Sequence, residues 1–331
     1  MNGLGMAIER PDPLLSETPL PLRRHFYPLG YPATIVTNCR GIIDAAASVW
    51  GKSAAKHDAN VKGVELRLAV TVSAPGAQPP PAAMPRGQGH LISFVHDVQN
   101  WAVCDLRTGF AFGWLTQAVA HDCDRVRYHF VEPIVSVMMD ALHFSVVHAA
   151  CLSWHGCGIL LCGGSEAGKS TLAYACAKRG WTYICDDAAH IVREAGDRIV
   201  RGNCHHIRFR PPTAELFPEL GAFEPLVRPN GKPTLEVDTA QLDIDAYAET
   251  EIDYVVFLNR RPELRQTVAP FDRMEALERL DLVHCVGEEW VRAEQRASLR
   301  RLLAVPVLEM TYHDLDSAEA RLRTLVGNGY E

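Results

Sequence analysis

The segment Gly163-Gly-Ser-Glu-Ala-Gly168-Lys169-Ser170 restricts the possible fold of this chain more than any other feature. It satisfies the pattern G-x-x-x-x-G-K-[S/T], which requires a strand before it and a helix after it. Residues 156–163 form an unbroken apolar run, as expected for a strand that is covered on both faces. Residues 171–179 carry apolar positions at helical spacing, and Gly180 is placed to end that helix. The segment therefore predicts a strand, a glycine loop (Gly163–Gly168) and a helix within an α/β fold.

Each part of this pattern suits the binding of a nucleotide. Glycines let backbone N–H groups converge on phosphate oxygens, and the helix N-terminus adds a favourable partial charge. Lys169 is expected to reach the β- and γ-phosphates, and Ser170 to bind Mg²⁺. We predict a site for ATP and Mg²⁺; a glycine-rich turn that binds no nucleotide is the alternative. The predicted cofactor-binding residues are Gly163, Gly164, Ser165, Glu166, Ala167, Gly168, Lys169, Ser170 and Thr171.

An acid pair, Asp186 and Asp187, follows the next predicted strand, residues 181–185. A right-handed crossover would place this strand beside the first one, with its carboxyl end at the ligand crevice. Two adjacent acids can divide the work of phosphoryl transfer, one near the metal and one accepting the proton of an attacking hydroxyl. The alternative is a solvated acidic strand end.

Residues 147–191 resemble the nucleotide-binding core of the bacterial HPr serine kinase/phosphorylase family. The resemblance implies a kinase fold related to phosphoenolpyruvate carboxykinase, with a mixed sheet, and transfer of the γ-phosphate of ATP to a serine-type hydroxyl. It implies that Asp186 is the general base, that Asp187 and Ser170 bind the metal, and that Lys169 and His148 assist catalysis. It also suggests a ring-like homo-oligomer. The matching positions are His148, Gly163–Ser170, Arg179-Gly180 and Asp186-Asp187.

The chain departs from this family after the acid pair. Family members carry an E-x-R-G-x-G signature there, whereas residues 202–221 read GNCHHIRFRPPTAELFPELG. Thr171 stands where the bifunctional enzymes usually have Glu. We therefore expect no phosphorylase activity and assign the acceptor only as a hydroxyl-bearing protein, peptide or small molecule. A nucleotide-dependent regulator or ATPase, and a nucleotide-binding scaffold with structural acids, are the alternative functions.

Several basic residues are further candidates for contacts with phosphates or with an acidic substrate. Arg208 and Arg210 alternate on a predicted strand and would face one side of it. Lys232 lies in a turn that could close over the nucleotide. For each candidate the alternative is an exposed, solvated side chain. The remaining candidates are Arg260, Arg261, Arg292, Arg296 and Arg300.

The length of 331 residues predicts more than one domain. We divide the chain into a Pro-rich arm (1–30), an α+β module (31–131) and a kinase domain (132–331). The module is predicted to contain two strands flanking a helix, an exposed loop at 74–89 with five prolines, and an antiparallel meander. Residues 132–149 are predicted to form a helix that joins the two parts.

Composition excludes several classes of protein. The net charge of -7 argues against a general nucleic-acid or anionic-membrane surface. The N-terminus lacks a signal-peptide pattern and no run of 18 apolar residues occurs, so the sequence predicts a cytoplasmic protein. The ten cysteines are expected to be mainly buried free thiols. The predicted fold class is thus α/β, a P-loop kinase core with a phosphoenolpyruvate carboxykinase-like mixed sheet, preceded by a smaller α+β module.

Overall fold

The computed structural model divides the chain into two compact units, one ending at Met138 and the other beginning at Met139. The sequence predicts this boundary seven residues earlier, between residues 131 and 132. Residues 1–17, most of the predicted arm, lie outside the described ranges. The structure describes residues 18–57, 60–73, 78–81, 84–193, 196, 198–227, 231–261, 265–281 and 288–329.

The first unit is built on a seven-stranded mixed sheet with the strand order β1-β2-β3-β7-β6-β5-β4. Strand pairs β2/β3 and β3/β7 are parallel, and the other neighbours are antiparallel. The strands are β1 (Leu22–Phe26), β2 (Ala33–Thr37), β3 (Val64–Thr71), β4 (Arg86–Gln88), β5 (Leu91–Val95), β6 (Trp101–Asp105) and β7 (Phe110–Thr116). The helices are α1 (Arg40–Trp50), α2 (Gln117–Ala120) and α3 (Cys123–Val126), followed by a π-helical turn at Arg127–Val131. Helix α4 (Glu132–Leu142) contains the boundary between Met138 and Met139, so it begins in the first unit and ends in the second.

The strand–helix–strand and meander predictions for this unit are confirmed by β2–α1–β3 and by β5–β6–β7. Two other predictions for this unit are wrong. Residues 22–26, assigned to the arm, form β1, because their backbone completes a ladder with β2. Residues 86–88, assigned to the exposed loop, form β4, since they follow the last proline and keep their N–H donors. Residues 74–77 and 82–83 of that loop lie outside the described ranges.

The second unit is built on a nine-stranded mixed sheet and a small three-stranded sheet. The path of the large sheet is β11-β9-β10-β17-β13-β12-β8, with β19 and β18 added beside β17. The small sheet has the order β14-β16-β15. The strands are β8 (Phe144–Val147), β9 (Ala150–Trp154), β10 (Cys157–Cys162), β11 (Thr182–Cys185), β12 (Ala189–Val192), β13 (Ile199–Arg201), β14 (His206–Phe209), β15 (Leu226–Val227), β16 (Pro233–Asp238), β17 (Glu249–Arg260), β18 (Thr267–Pro270) and β19 (Val307–Tyr312). The helices are α5 (Lys169–Ala177), α6 (Arg273–Asp281), α7 (Glu289–Leu302) and α8 (Leu315–Asn328).

Strand β10 lies at the centre of this unit and explains the unbroken apolar run. Ile159 and Leu161 pack into the core that contains residues of α5 and α8. Leu160 and Cys162 point the other way, into the core that contains residues of α6 and α7. Successive side chains of a strand alternate between its faces, so a sheet with helices on both faces requires apolar residues at every position. This confirms a mixed α/β fold.

The strand that precedes the acid pair is not beside β10, as the sequence analysis expected. Strand β9 lies between them, antiparallel to both β10 and β11. The reason is a tight hairpin, in which the turn residues His155 and Gly156 have φ angles of 49° and 88°. Two residues with positive φ form the turn that matches the twist of an antiparallel pair. The hairpin occupies that edge of β10, so β11 pairs with the outer edge of β9 and runs parallel to β10.

The predicted helix at 132–149 is also corrected. Helix α4 ends at Leu142, and residues 144–147 form β8. Phe144, Val146 and Val147 have aromatic or β-branched side chains that favour a strand, and β8 pairs with β12 along its whole length. His148 consequently lies in the bend between β8 and β9.

Candidate active site

A cavity of about 440 Å³ lies between the glycine loop, the acid pair and the three-stranded sheet. It brings together most of the residues that the sequence analysis selected. Gly163, Gly164 and Ala167 are not part of its lining. The lining residues are His148, Ser165, Glu166, Gly168, Lys169, Ser170, Thr171, Asp186, Asp187, Arg208, Phe209, Arg210, Thr213, Lys232 and Thr234.

The glycine loop connects β10 to α5 with a sharply folded backbone. Gly163 and Gly168 have φ angles of 153° and 88°, and Gly168 is the N-cap residue of α5. Glu166 also has a positive φ, 66°, which an L-residue adopts at a cost. A Cβ atom at Gly168 would lie 2.3 Å from the Tyr312 hydroxyl, so any other residue here would require Tyr312 or the loop to shift.

Lys169 is held inside the curve of the loop. Its Nζ donates hydrogen bonds to the carbonyl oxygens of Gly163 at 2.9 Å and Gly164 at 3.1 Å. The residue is 6% exposed, and burial lowers the pKa of its ammonium group. The loop backbone thus surrounds a nearly buried cation at the wall of the cavity.

Asp186 is the buried member of the acid pair. Its Oδ2 accepts a hydrogen bond from the backbone N–H of Arg208 at 3.0 Å, and its Oδ1 lies 3.0 Å from the Tyr183 hydroxyl. Burial, together with the like charge of Asp187, raises the pKa of Asp186 to about 6. The carboxyl group is therefore mainly charged at pH 7, yet it binds a proton more readily than an ordinary Asp, as suits a general base.

The Tyr183 hydroxyl can satisfy Asp186 in both protonation states. It lies 3.0 Å from Asp186 Oδ1 and 3.1 Å from the carbonyl oxygen of His206. Its single proton can be donated to the charged carboxylate. When the carboxyl group is neutral, its own proton can be donated to the hydroxyl oxygen, which then donates to His206.

Asp187 is the open member of the acid pair. Its side chain is 40% exposed, and its Oδ1 lies 3.1 Å from His148 Nδ1. His148 Nδ1 is also 2.8 Å from the Asp187 carbonyl oxygen. A carbonyl oxygen can only accept, so Nδ1 carries the proton in this contact. His148 is thus oriented by Asp187 at the edge of the cavity.

Arg208 places a fixed cation beside the acid pair. Its Nε donates to Glu236 Oε2 at 2.8 Å across strands β14 and β16, and Glu236 is largely buried. Its Nη1 lies 3.8 Å from Asp187 Oδ2. The buried Glu236 holds the guanidinium group, whose planar fork suits phosphate oxygens.

The structure separates the remaining basic candidates. Arg210 and Lys232 line the cavity with Arg208, but β14 ends at Phe209, so only Arg208 of the two arginines lies on the strand. Arg260 and Arg261 are outside its lining, at the end of β17, and Arg261 Nε donates to Asn259. Arg292, Arg296 and Arg300 are exposed on α7, away from the cavity lining.

Sequence reasoning missed the residues that support this site from distant segments. Glu236 holds Arg208, Tyr183 contacts Asp186, and the Tyr312 hydroxyl donates to the Ala167 carbonyl oxygen at 2.7 Å. Thr213, Thr234 and Phe209 also line the cavity. Of these residues only Tyr183 could have been found from the sequence. It lies three residues before Asp186, close enough for its hydroxyl to reach the bend that follows the strand.

Hard oxygen donors are available for a magnesium ion. Ser170 and the open carboxylate of Asp187 both line the cavity, and these are the oxygen ligands that Mg²⁺ accepts in small number beside substrate phosphates. Across the described ranges, no group of three His, Cys, Asp or Glu side chains is arranged to hold a metal ion. Ser170 and Asp187 therefore fit a metal that is also bound by a phosphate ligand.

The nine cysteines in the described segments are free thiols, and six of them are buried; Cys285 lies outside those segments. None of the helices in the described part of the chain has both the length and the apolar composition needed to cross a membrane.

Comparisons with known proteins find one family model that matches part of the chain. Residues 141–210 match the family described as the HPr Serine kinase C-terminal domain, a phosphotransferase family, and the match includes the glycine loop and the acid pair. The solved HPr(Ser) kinase/phosphatase from Coxiella burnetii is 15% identical; the alignment covers 55% of this chain and 94% of that chain, with a TM-score of 0.29. No curated protein matches the chain. Residues 141–210 of this chain are thus similar to the HPr Serine kinase C-terminal domain.

Proposed function

We propose that this protein is an ATP- and Mg²⁺-dependent kinase that transfers the γ-phosphate to a serine-type hydroxyl of a protein, a peptide or a small molecule. One observation carries the proposal: a glycine loop with its lysine, a buried acid with a raised pKa and an open acid line the same cavity. A nucleotide-binding scaffold needs no proton acceptor in that place.

The residues have distinct roles in this proposal. The loop N–H groups and Lys169 bind the phosphates. Ser170 and Asp187 would hold the metal, which when bound neutralises phosphate charge. Asp186 accepts the proton of the acceptor hydroxyl as the hydroxyl oxygen bonds to the γ-phosphorus and the bond from phosphorus to the β-phosphate oxygen breaks. Each Asp186 oxygen uses one lone pair inside the protein and keeps another for this proton.

Two neighbouring residues support the transfer. Arg208 stabilises negative charge on the transferred group, because Glu236 holds its guanidinium at the wall of the cavity. His148, oriented through Nδ1 by Asp187, assists near the γ-phosphate through Nε2. Arg210 and Lys232 extend the positive wall beyond the acid pair, where an acceptor or the nucleotide can be bound.

The test is phosphorylation with γ-labelled ATP and a panel of serine-containing peptides, proteins and free amino acids. We expect Asp186→Asn to keep nucleotide affinity within a few-fold of wild type but to reduce transfer by roughly 10² to 10⁴. We expect Lys169→Ala to lose tight nucleotide binding, measured by calorimetry with a non-hydrolysable analogue and Mg²⁺.

The outcomes separate the alternatives. Unchanged nucleotide affinity in Lys169→Ala would remove the nucleotide site. Full transfer by Asp186→Asn would place the base elsewhere. Release of inorganic phosphate at an unchanged rate with every acceptor would instead identify an ATPase or a nucleotide-dependent regulator.

A further inference from the structure

Tyr312 is the last residue of β19 and lies directly beneath the glycine loop. It is 1% exposed, and its hydroxyl donates a hydrogen bond of 2.7 Å to the carbonyl oxygen of Ala167. The same hydroxyl lies 2.3 Å from the place where a Cβ atom of Gly168 would be. The Tyr312 hydroxyl therefore contacts the loop at the peptide bond between Ala167 and Gly168.

The backbone of Tyr312 is itself held by the sheet. Its carbonyl oxygen accepts a hydrogen bond from the N–H of Arg261 at 2.9 Å, and β19 pairs in parallel with β17 along six residue pairs. The hydroxyl is thus presented from a rigid position. Burial raises the pKa of Tyr312 to about 12, so the hydroxyl keeps its proton and remains a donor at neutral pH.

The hydrogen bond to the Ala167 carbonyl oxygen also determines the direction of the Gly168 N–H. The described peptide bonds are trans, and in a planar trans peptide the C=O and the following N–H point in opposite directions. When Tyr312 binds the carbonyl oxygen of Ala167, the N–H of Gly168 must point away from Tyr312. Gly168 lines the cavity and is the N-cap of α5, whose first N–H groups have no partner within the helix.

We propose that Tyr312 is a positioning residue for phosphate binding: by anchoring the Ala167 carbonyl oxygen, it fixes the Gly168 N–H in the direction of a nucleotide phosphate. This inference rests on the proposed nucleotide site. It explains why the Tyr312 hydroxyl occupies the place that a side chain at position 168 would need. Tyr312 does not touch the reacting atoms.

The experiment compares two single-atom deletions in the full chain. Tyr312→Phe removes the anchoring hydroxyl and keeps the ring. Tyr174→Phe is the matched control: Tyr174 is also 1% exposed, its hydroxyl donates to Glu219 at 2.9 Å, and it does not line the cavity. Calorimetry with a non-hydrolysable ATP analogue and Mg²⁺ gives the affinity, and thermal unfolding gives the stability of each variant.

We expect Tyr312→Phe to weaken binding of the analogue about fivefold, as for the loss of one neutral hydrogen bond, and Tyr174→Phe to leave it unchanged. Equal affinities of the two variants would overturn the inference. Weakened binding by Lys169→Ala with normal binding by Tyr312→Phe would leave the nucleotide site standing and remove only the role of Tyr312. Unchanged binding by Lys169→Ala would remove the site itself.

A second measurement needs no variant. Hydrogen exchange at the Gly168 amide of the wild-type protein is expected to slow when the analogue is added, because the N–H becomes bonded to a phosphate oxygen. The amide of Lys178, at the far end of α5, is already bonded to the Tyr174 carbonyl oxygen and serves as the internal reference. Equal exchange at Gly168 with and without the analogue would overturn the inference.

Discussion

The carboxyl group of Asp186 binds its proton more tightly in the folded protein than in the unfolded chain. Its pKa is about 6 in the structure, against about 3.9 for an unperturbed Asp, chiefly because burial disfavours the charged form. The native state therefore holds more protons than the unfolded state between these two values. As the pH rises from about 4 to about 6, the free energy of unfolding decreases, by up to about 3 kcal/mol from this group.

We expect Asp186→Asn to stabilise the protein at pH 8 by on the order of 2 kcal/mol, and by progressively less as the pH falls to 4. The amide can accept the Arg208 N–H and donate to Tyr183, whose proton then goes to the His206 carbonyl oxygen. Urea unfolding of both proteins across this pH range measures the difference. A stability difference that does not depend on pH would show that Asp186 is not charged at a cost in the native state.

Glu166 combines a positive φ of 66° with a negative charge at the cavity. Glycine adopts this conformation without a Cβ clash, so we expect Glu166→Gly to raise the free energy of unfolding by about 0.5–1 kcal/mol. Nucleotide affinity should also rise, because an anion leaves the phosphate cradle. Ser165→Gly is the control, since Ser165 is also exposed but has no positive φ. Equal responses of the two variants in chemical unfolding would contradict the assigned strain.

Strand β10 joins the two cores of the second unit and carries the glycine loop at its end. The Leu160 side chain of this strand is fully buried in the core that β10 forms with α6 and α7. We expect Leu160→Ala to reduce the free energy of unfolding by about 2–5 kcal/mol through lost burial and a cavity. Cys157→Ala, at the half-buried start of the same strand, should cost much less. Denaturant unfolding distinguishes them, and similar losses would argue against the central position of Leu160.

The second unit contains every residue of both its cores and of the cavity. We therefore expect a fragment of residues 132–331, which keeps helix α4 whole, to fold and to bind the ATP analogue within a few-fold of the full chain. Circular dichroism and calorimetry are the measurements. A folded fragment without nucleotide affinity would show that the first unit contributes to the site.

Local patterns were sufficient for much of this protein. The glycine loop between β10 and α5, the end of α5 before Gly180, the meander of the first unit and the acid pair after β11 could all be predicted from neighbouring residues. Each depends on hydrogen bonds or side-chain periodicity within one short segment. The choice of Lys169, Asp186, Asp187 and His148 as neighbours in one cavity also followed from sequence, through the pattern and the family resemblance.

Tertiary structure decided which segments pair and which side chains support the site. The sequence predicted β11 beside β10. In the structure, the two-residue turn at His155 and Gly156 lets β9 pair with that edge of β10 instead. Tyr312 beneath the glycine loop and Glu236 beside Arg208 come from strands far along the chain. All segments of the chain compete for the same sheet edges and faces, and this competition determines strand pairing and burial. The periodicity of a single segment therefore does not predict which segment it pairs with.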